Sequence, residues 1–284
     1  VERVDAHVVA PLVTAGEITA LLVLGGRSGE RSYGALHLYH VDSLCRQAGA
    51  ALQNARMHEE DLQRERVRTE LALAQKIQEQ LLPEGPLRAD GLTVCGRTVA
   101  SRSVGGDLHD HFTLSDGRVV VVVADASGKG IPASLLTSGV RTAIRETIRP
   151  GLPLEAAIAN VNRHVHGMTH VGHFVALFAA VVDPRTGVIE YCVAGIEPPL
   201  WIRPALGRVE RLARGGPVLG VDPQAGYHVG TIRLAPGETL VAYTDGVIDE
   251  EDENEQEFGF EALVRLLGAS GDLAAEALRN RIFE

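Results

Sequence analysis

Residues 119–130 read VVVVVADASGKG: five valines, Ala124, Asp125, and then Gly128-Lys129-Gly130. Two chemistries suit such a stretch. Glycines beside a lysine can cradle a phosphate, and a carboxylate at the end of an apolar strand can hold a cation. A G-x-x-x-x-G-K-[ST] loop needs a glycine where Val123 stands and a hydroxyl where Gly130 stands, so the phosphate loop fails at both positions. The carboxylate reading gains from repetition. LVAYTDG is a second apolar strand ending in Asp-Gly, at Asp245, and SVGGDLHD sets Asp107 after two glycines just before a strand. Asp-Gly is also a common turn dipeptide, which is all that Asp116-Gly117 is, and any one of these aspartates alone reads as a turn. Three of them, each in a longer pattern, reverse that preference. If the three ends converge, they make an oxygen-rich pocket suited to Mg²⁺ or Mn²⁺. Glycine alongside lets a carbonyl or a hydrated ion come close.

The bulk composition narrows the partners. The chain has 284 residues, is 45% hydrophobic and carries a formal net charge of −10 with no basic block. It can bury a large core in one or two domains, and nucleic acid is not an expected partner. No apolar run reaches the ~20 residues of a membrane span, so no membrane partner is expected either. Cys45, Cys95 and Cys192 are odd in number and far apart, which suits a reducing cytoplasm better than a disulfide framework. The first residue is Val1, which reads as a fragment.

The elements that must position the aspartates follow from periodicity. VVAPLV and ITALLVLGG are two apolar runs around a turn. Residues 47–82 read as a long linker helix, with Ala48, Leu52, Ala55 and Leu62 on one face and Val67, Leu71, Ala74, Ile77 and Leu81 continuing it after a break in register. Two readings of this helix stand, a solvated connector or a dimeric coiled coil with a stutter. Pro83-Glu84-Gly85-Pro86 stops the helix and marks a domain boundary, so residues 83–284 form the second domain. LTVCGRTVA is a strand, HFTLSDGRVVVVVAD a hairpin, and HFVALFAAVVD with VIEYCVAG a second hairpin. Residues 132–149 and 154–166 are helical, further strands are PLWIR, VERLA, YHVGTIRL and ETLVAYTD, and residues 260–267 and 273–279 are helical again. Hairpins in place of crossover helices argue for an antiparallel α+β domain.

The order SVGGDLHDHF, VVVADASGKG, FVALFAAVVDPRTGVIEY, AGIEPPL, GGPVLGV and LVAYTDGVIDE resembles the sporulation-E/RsbU-type branch of the bacterial metal-dependent 2C (PPM) protein phosphatases. The resemblance runs from about residue 74 to 267 and includes the lead-in IQEQLLP. It implies an αββα sandwich of two antiparallel sheets flanked by helices. It implies hydrolysis of phosphoserine or phosphothreonine in a protein, in this branch a phosphorylated anti-sigma-factor antagonist. It implies two Mn²⁺ or Mg²⁺ ions held by Asp107, Asp125, the carbonyl of Ala126 and Asp245, with Asp125 bridging them. Lys129 has two readings, a phosphate contact or a solvated loop lysine. Residues 1–60 resemble the C-terminal part of a GAF sensor domain, with PLV, ITALLVL and a helix carrying AALQNAR, while the beginning of such a domain is absent.

Two departures matter. The family carries a further aspartate in a D-D-x-T-like block, and no such block precedes Glu284. The expectation is a truncated phosphatase domain whose activity is in doubt, and hence a rival reading as a scaffold that binds its partner without turnover. Ile196 stands where the family more often has a polar residue, and Glu197 adds a charge beside it. His164, His166, His170 and His173 read as helix-end and loop residues rather than zinc ligands, since His164 and His166 point differently on a helix. The acidic run at 249–257 lacks the spacing of a calcium loop and reads as solvated.

Overall fold

The computed structural model describes residues 6–14, 16–27, 32–99, 104–169 and 172–284. Ser103 of the SVGGD stretch and His170 of the histidine group lie outside the described residues. The chain forms two compact units, Val1–Glu70 and Leu71–Glu284.

The first unit holds an antiparallel hairpin, β1 (Val8–Thr14) and β2 (Glu17–Leu24), and most of α1 (Ala35–Leu81). The helix begins at Ala35, well before residue 47, because no proline or interior-breaking pair follows Gly34. At its start the Gly34 N–H donates to the His37 ring at 3.2 Å. Cys45 and Gly49 are its only buried residues. A Cβ at Gly49 would lie 3.1 Å from the Val13 carbonyl, so the glycine lets the helix pass close to the hairpin. The apolar seam stays open, with Leu52, Leu62, Val67 and Ile77 all exposed.

The second unit begins with the last turns of α1, followed by the short hairpin β3 (Leu87–Ala89) and β4 (Leu92–Val94). LTVCGRTVA therefore contributes a strand only as far as Val94. Beyond it the chain presses on β5, so closely that a Cβ at Gly96 would collide with the His109 ring. β5 (Asp107–Thr113), β6 (Val119–Ala126), β7 (Val175–Asp183) and β8 (Val188–Ala194) form a continuous antiparallel ladder. Between β6 and β7 run α2 (Ile131–Thr147) and α3 (Leu154–Met168). A second sheet has the order β10 (Arg208–Arg211), β9 (Leu200–Arg203), β13 (Thr239–Val241). β11 (Gly215–Gly216) and β12 (Gly230–Arg233) both pair with β8, β11 in parallel and β12 antiparallel. Helices α4 (Phe260–Ala269) and α5 (Ala275–Ile282) close the described chain.

Alternation of side chains builds the layers. Along β6, Val120, Val122, Ala124 and Ala126 face α2 and α3, where they meet Val140, Ile144, Ile158 and Val161. Val119, Val121 and Val123 face the second sheet, beside Phe178, Trp201 and Leu240. The second sheet buries Leu200 and Ile202 against Leu263, Leu267 and Leu278 of α4 and α5. The result is a four-layer αββα sandwich. β7 is buried at nearly every position because it is covered on both faces. No described helix is long and apolar enough to cross a membrane.

One buried charge joins β5 to α2. Asp110 is 1% exposed and takes two hydrogen bonds from Arg145, both at 2.7 Å. Arg141 approaches at 3.1 Å without the alignment of a hydrogen bond. Removing the carboxylate leaves two cations with no counter-charge. Both arginines keep some solvent exposure (20% and 38%), which puts the cost at the low end for a broken buried pair. Asp110→Ala is expected to lower unfolding free energy by about 3 kcal/mol in urea titration; an unshifted midpoint would show that the pair is not stabilising.

Candidate metal centre

The register of one hairpin brings the first two aspartates together. Asp107 opens β5, Asp125 lies near the end of β6, and the two are direct cross-strand partners. Both belong to the odd-numbered set whose side chains face the second sheet. The ladder therefore fixes their proximity, independently of loop conformation.

Asp245 arrives from the other sheet, and not at a strand end. β13 stops at Val241, and Asp245 starts a single 3₁₀ turn, with its carbonyl accepting the N–H groups of Ile248 and Asp249 at 2.8 and 2.9 Å. The strand ends early because Tyr243 turns into the core between the second sheet and α4, and Thr244 turns to Asp107. Thr244 donates from Oγ1 to Asp107 Oδ2 at 2.8 Å. Periodicity alone misses this residue; its place directly before Asp245 in LVAYTDG was the available signal.

The electrostatics show how close the three groups are. Burial first, then the charges of Asp107 and Asp245, push the Asp125 carboxyl up to about 7. The Asp107 carboxyl is also raised, first by burial and further by Asp245, against the Thr244 hydrogen bond and contact with Asp125. Like charges in a half-buried site cannot all ionise at ordinary carboxylate values, so the pair is close enough to share a proton. Among the described residues no three carboxyl, imidazole or thiol groups form a ready-made cage. Asp245 is exposed and reaches the pair through its field rather than by contact. The donor set suits a hard divalent cation: all-oxygen, anionic, and costly to leave uncompensated.

Backbone groups complete the site. A Cβ at Gly106 would lie 2.8 Å from the Ala126 carbonyl oxygen and 3.5 Å from Asp125 Oδ1, so only glycine lets these strands meet there. The Ala126 N–H donates to the Gly106 carbonyl at 3.2 Å. Ser127 is latched to Phe174 by a backbone bond and by its own Oγ, both at 2.9 Å. Gln78 of α1 grips Gly105 through both ends of its amide, at 2.8 and 3.2 Å. The GKG stretch makes the β6–α2 turn, with Gly128 and Gly130 at φ of 93° and 79° and Lys129 exposed. These left-handed glycines explain the motif without a phosphate loop.

The other constellations stay apart. His166, in the last turn of α3, bonds the Gly220 carbonyl at 2.9 Å, while His164 and His173 are exposed. In the acidic run, the Asp252 carboxylate caps the N–H groups of Asn254 and Gln256, a self-contained turn. Burial raises the Cys192 thiol to about 12 and also raises Cys95, so neither is a ready thiolate.

Residues 115–284 match the family model described as Stage II sporulation protein E (SpoIIE). Protein IcfG of Synechocystis sp. is 27% identical over 238 residues, covering 74% of this chain and 37% of that protein. Phosphoserine phosphatase RsbU of Bacillus subtilis is 26% identical over 188 residues, covering 66% of this chain and 56% of that protein. The chain thus spans less than two thirds of either relative. The solved SiaA-PP2C domain of Pseudomonas aeruginosa shares the fold at a TM-score of 0.62 and 21% identity, over 78% of this chain and 89% of that one.

The raised Asp125 carboxyl has a measurable sign. Its folded value, about 7, lies above its ordinary value of 3.8, so the folded state binds the proton more tightly than the unfolded state. Its contribution is fully present below the ordinary value and lost as pH rises to about 7. In metal-free protein, the gain in melting temperature from Asp125→Asn is expected to grow between pH 4 and pH 7. A gain that stays flat across that window would show that the Asp125 carboxyl is not raised in the folded state.

Proposed function

Because this chain belongs to the Stage II sporulation protein E (SpoIIE) family, we propose that it is a metal-dependent phosphatase acting on phosphoserine or phosphothreonine in a partner protein. On this reading Asp107, Asp125, Asp245 and the Ala126 carbonyl would hold two Mn²⁺ or Mg²⁺ ions. The observation that carries it is the cross-strand pairing of Asp107 with Asp125 on the face towards the second sheet, with Asp245 near enough to add its charge to both. Three carboxyl groups gathered in this way need a proton or a cation to offset them, and this reading assigns that part to cations.

When bound, the two ions would supply a water acidified towards neutrality and would offset charge on the phosphoryl oxygens. The chain's own residues do the rest. The β5–β6 ladder holds Asp107 opposite Asp125, and Thr244 fixes the Asp107 carboxylate by its hydroxyl. Gly106 clears the space beside the Ala126 carbonyl. The thiols of Cys95 and Cys192 stay protonated, so a cysteine nucleophile is not part of this reading.

The substrate class we favour is a phosphorylated anti-sigma-factor antagonist. It is supported by the similarity to RsbU, itself named a phosphoserine phosphatase. We assign the hairpin and the start of α1 to the end of a GAF-type sensor domain, a reading supported by their order along the chain. The exposed seam of Leu52, Leu62, Val67 and Ile77 suits a homodimer through α1. The unpaired cysteines suit the cytoplasm. One observation favours a second reading, a phosphatase-like scaffold without turnover: the absence of a ready-made cage among the described residues.

Hydrolysis of p-nitrophenyl phosphate and of a phosphoserine peptide separates the two. We expect Mn²⁺-dependent turnover that is lost with EDTA and restored by Mn²⁺. Asp125→Ala or Asp245→Ala should lower kcat by about a thousandfold, equivalent to several kcal/mol of lost charge stabilisation. Absence of turnover at saturating Mn²⁺ would favour the scaffold.

A further inference from the structure

A side-chain amide on α1 grips the peptide just ahead of Asp107. Gln78 donates from Nε2 to the Gly105 carbonyl at 2.8 Å and accepts the Gly105 N–H at Oε1 at 3.2 Å. A single hydrogen bond leaves a pivot, whereas two from one planar amide fix both the position and the rotation of the peptide. The gripped segment needs this. Gly105-Gly106 has no conformational preference of its own, since glycine samples both signs of φ. On its far side, Gly106 is pressed against Ala126: its carbonyl accepts the Ala126 N–H at 3.2 Å, and a Cβ there would lie 2.8 Å from the Ala126 carbonyl oxygen. The glycine pair is thus held between Gln78 and Ala126, and Asp107 is the next residue.

We propose that Gln78 is a positioning residue of the metal centre, holding Gly105-Gly106 so that Asp107 and the Ala126 carbonyl face the same ions. The inference rests on the reading of those groups as metal ligands. It assigns to the last turns of α1 a direct part in metal affinity. It also explains why a half-buried glutamine interrupts the apolar positions of IQEQLLP: its partners are backbone groups 27 residues away, not side chains on its own helix. Gln75, one turn earlier, bonds only along the helix, to Glu79 at 3.0 Å.

The test is Mn²⁺ titration by calorimetry on the full chain, in wild type, Gln78→Met and Gln75→Met, with melting of the metal-free proteins alongside. Methionine keeps the length of the side chain and removes both hydrogen bonds. For Gln78→Met we expect Mn²⁺ affinity to fall about 10- to 100-fold, the range seen when a partner of a metal ligand is removed. Its metal-free melting should stay close to wild type, and kcat should return at saturating Mn²⁺. Gln75→Met should bind as wild type does. Should Gln78→Met fail to fold, Gln78→Glu carries the same test, since it keeps the acceptor for the Gly105 N–H and loses the donor. Wild-type affinity in the folded Gln78 variant would overturn the inference and leave the ligand reading standing. A kcat loss that excess Mn²⁺ does not restore would overturn it in favour of a purely structural role. A wild-type chain that binds no Mn²⁺ would overturn the ligand reading, and the inference with it.

Discussion

Repulsion between carboxylates is the constraint on which this site depends. Asp107 and Asp125 are cross-strand partners, and Asp245 adds a third negative charge from the opposite sheet. Half-buried like charges separate unless something holds them or neutralises them. Here the holding is done by the ladder of β5 and β6, whose register cannot slip by one residue without turning every valine of β6 to the wrong layer. The neutralising is left to a shared proton or to cations. Packing of the two sheets through Phe178, Trp201 and Leu240 is therefore part of the chemistry, since it brings the third charge to the first two.

Around that constraint the polar contacts form a graded support. Thr244 orders one oxygen of Asp107, Ser127 latches the chain after Ala126 to Phe174, and Gln78 fixes the glycines before Asp107. On the other face of β5, Asp110 ties the strand to α2 through Arg145. Strand β5 is thus anchored from both faces, to a helix on one side and to the opposite sheet on the other. A strand held in this way resists the spreading that like charges at its end would otherwise cause.

The sandwich itself is a common frame, and a frame of this kind does not by itself set a function. Similarity to the SiaA-PP2C domain at 21% identity shows how little of the sequence the frame requires beyond alternation and small residues at contacts. The acidic cluster demands far more of particular positions. Gly106 illustrates the difference: a methyl group there would strike the Ala126 carbonyl.

The amino-acid sequence alone was enough for the alternating valines of β6, the two hairpins, α2 and α3, and hence the α+β class, because side-chain period is a local property. It also singled out Asp107, Asp125 and Asp245, since an acid beside glycine after an apolar run is visible in one dimension. It placed the start of the long helix too late, because residues 35–46 lack a breaker but also lack a regular apolar face. It read Asp245 as a strand end, and only the packing of Tyr243 and the reach of Thr244 to Asp107 show why β13 stops earlier. Nothing local marks Gln78, since its partner is 27 residues away. Local pattern determines which residues are acidic, apolar or free to bend. Which of them meet is decided by register and by sheet-on-sheet packing, and these are sums of long-range contacts that no short window of sequence contains.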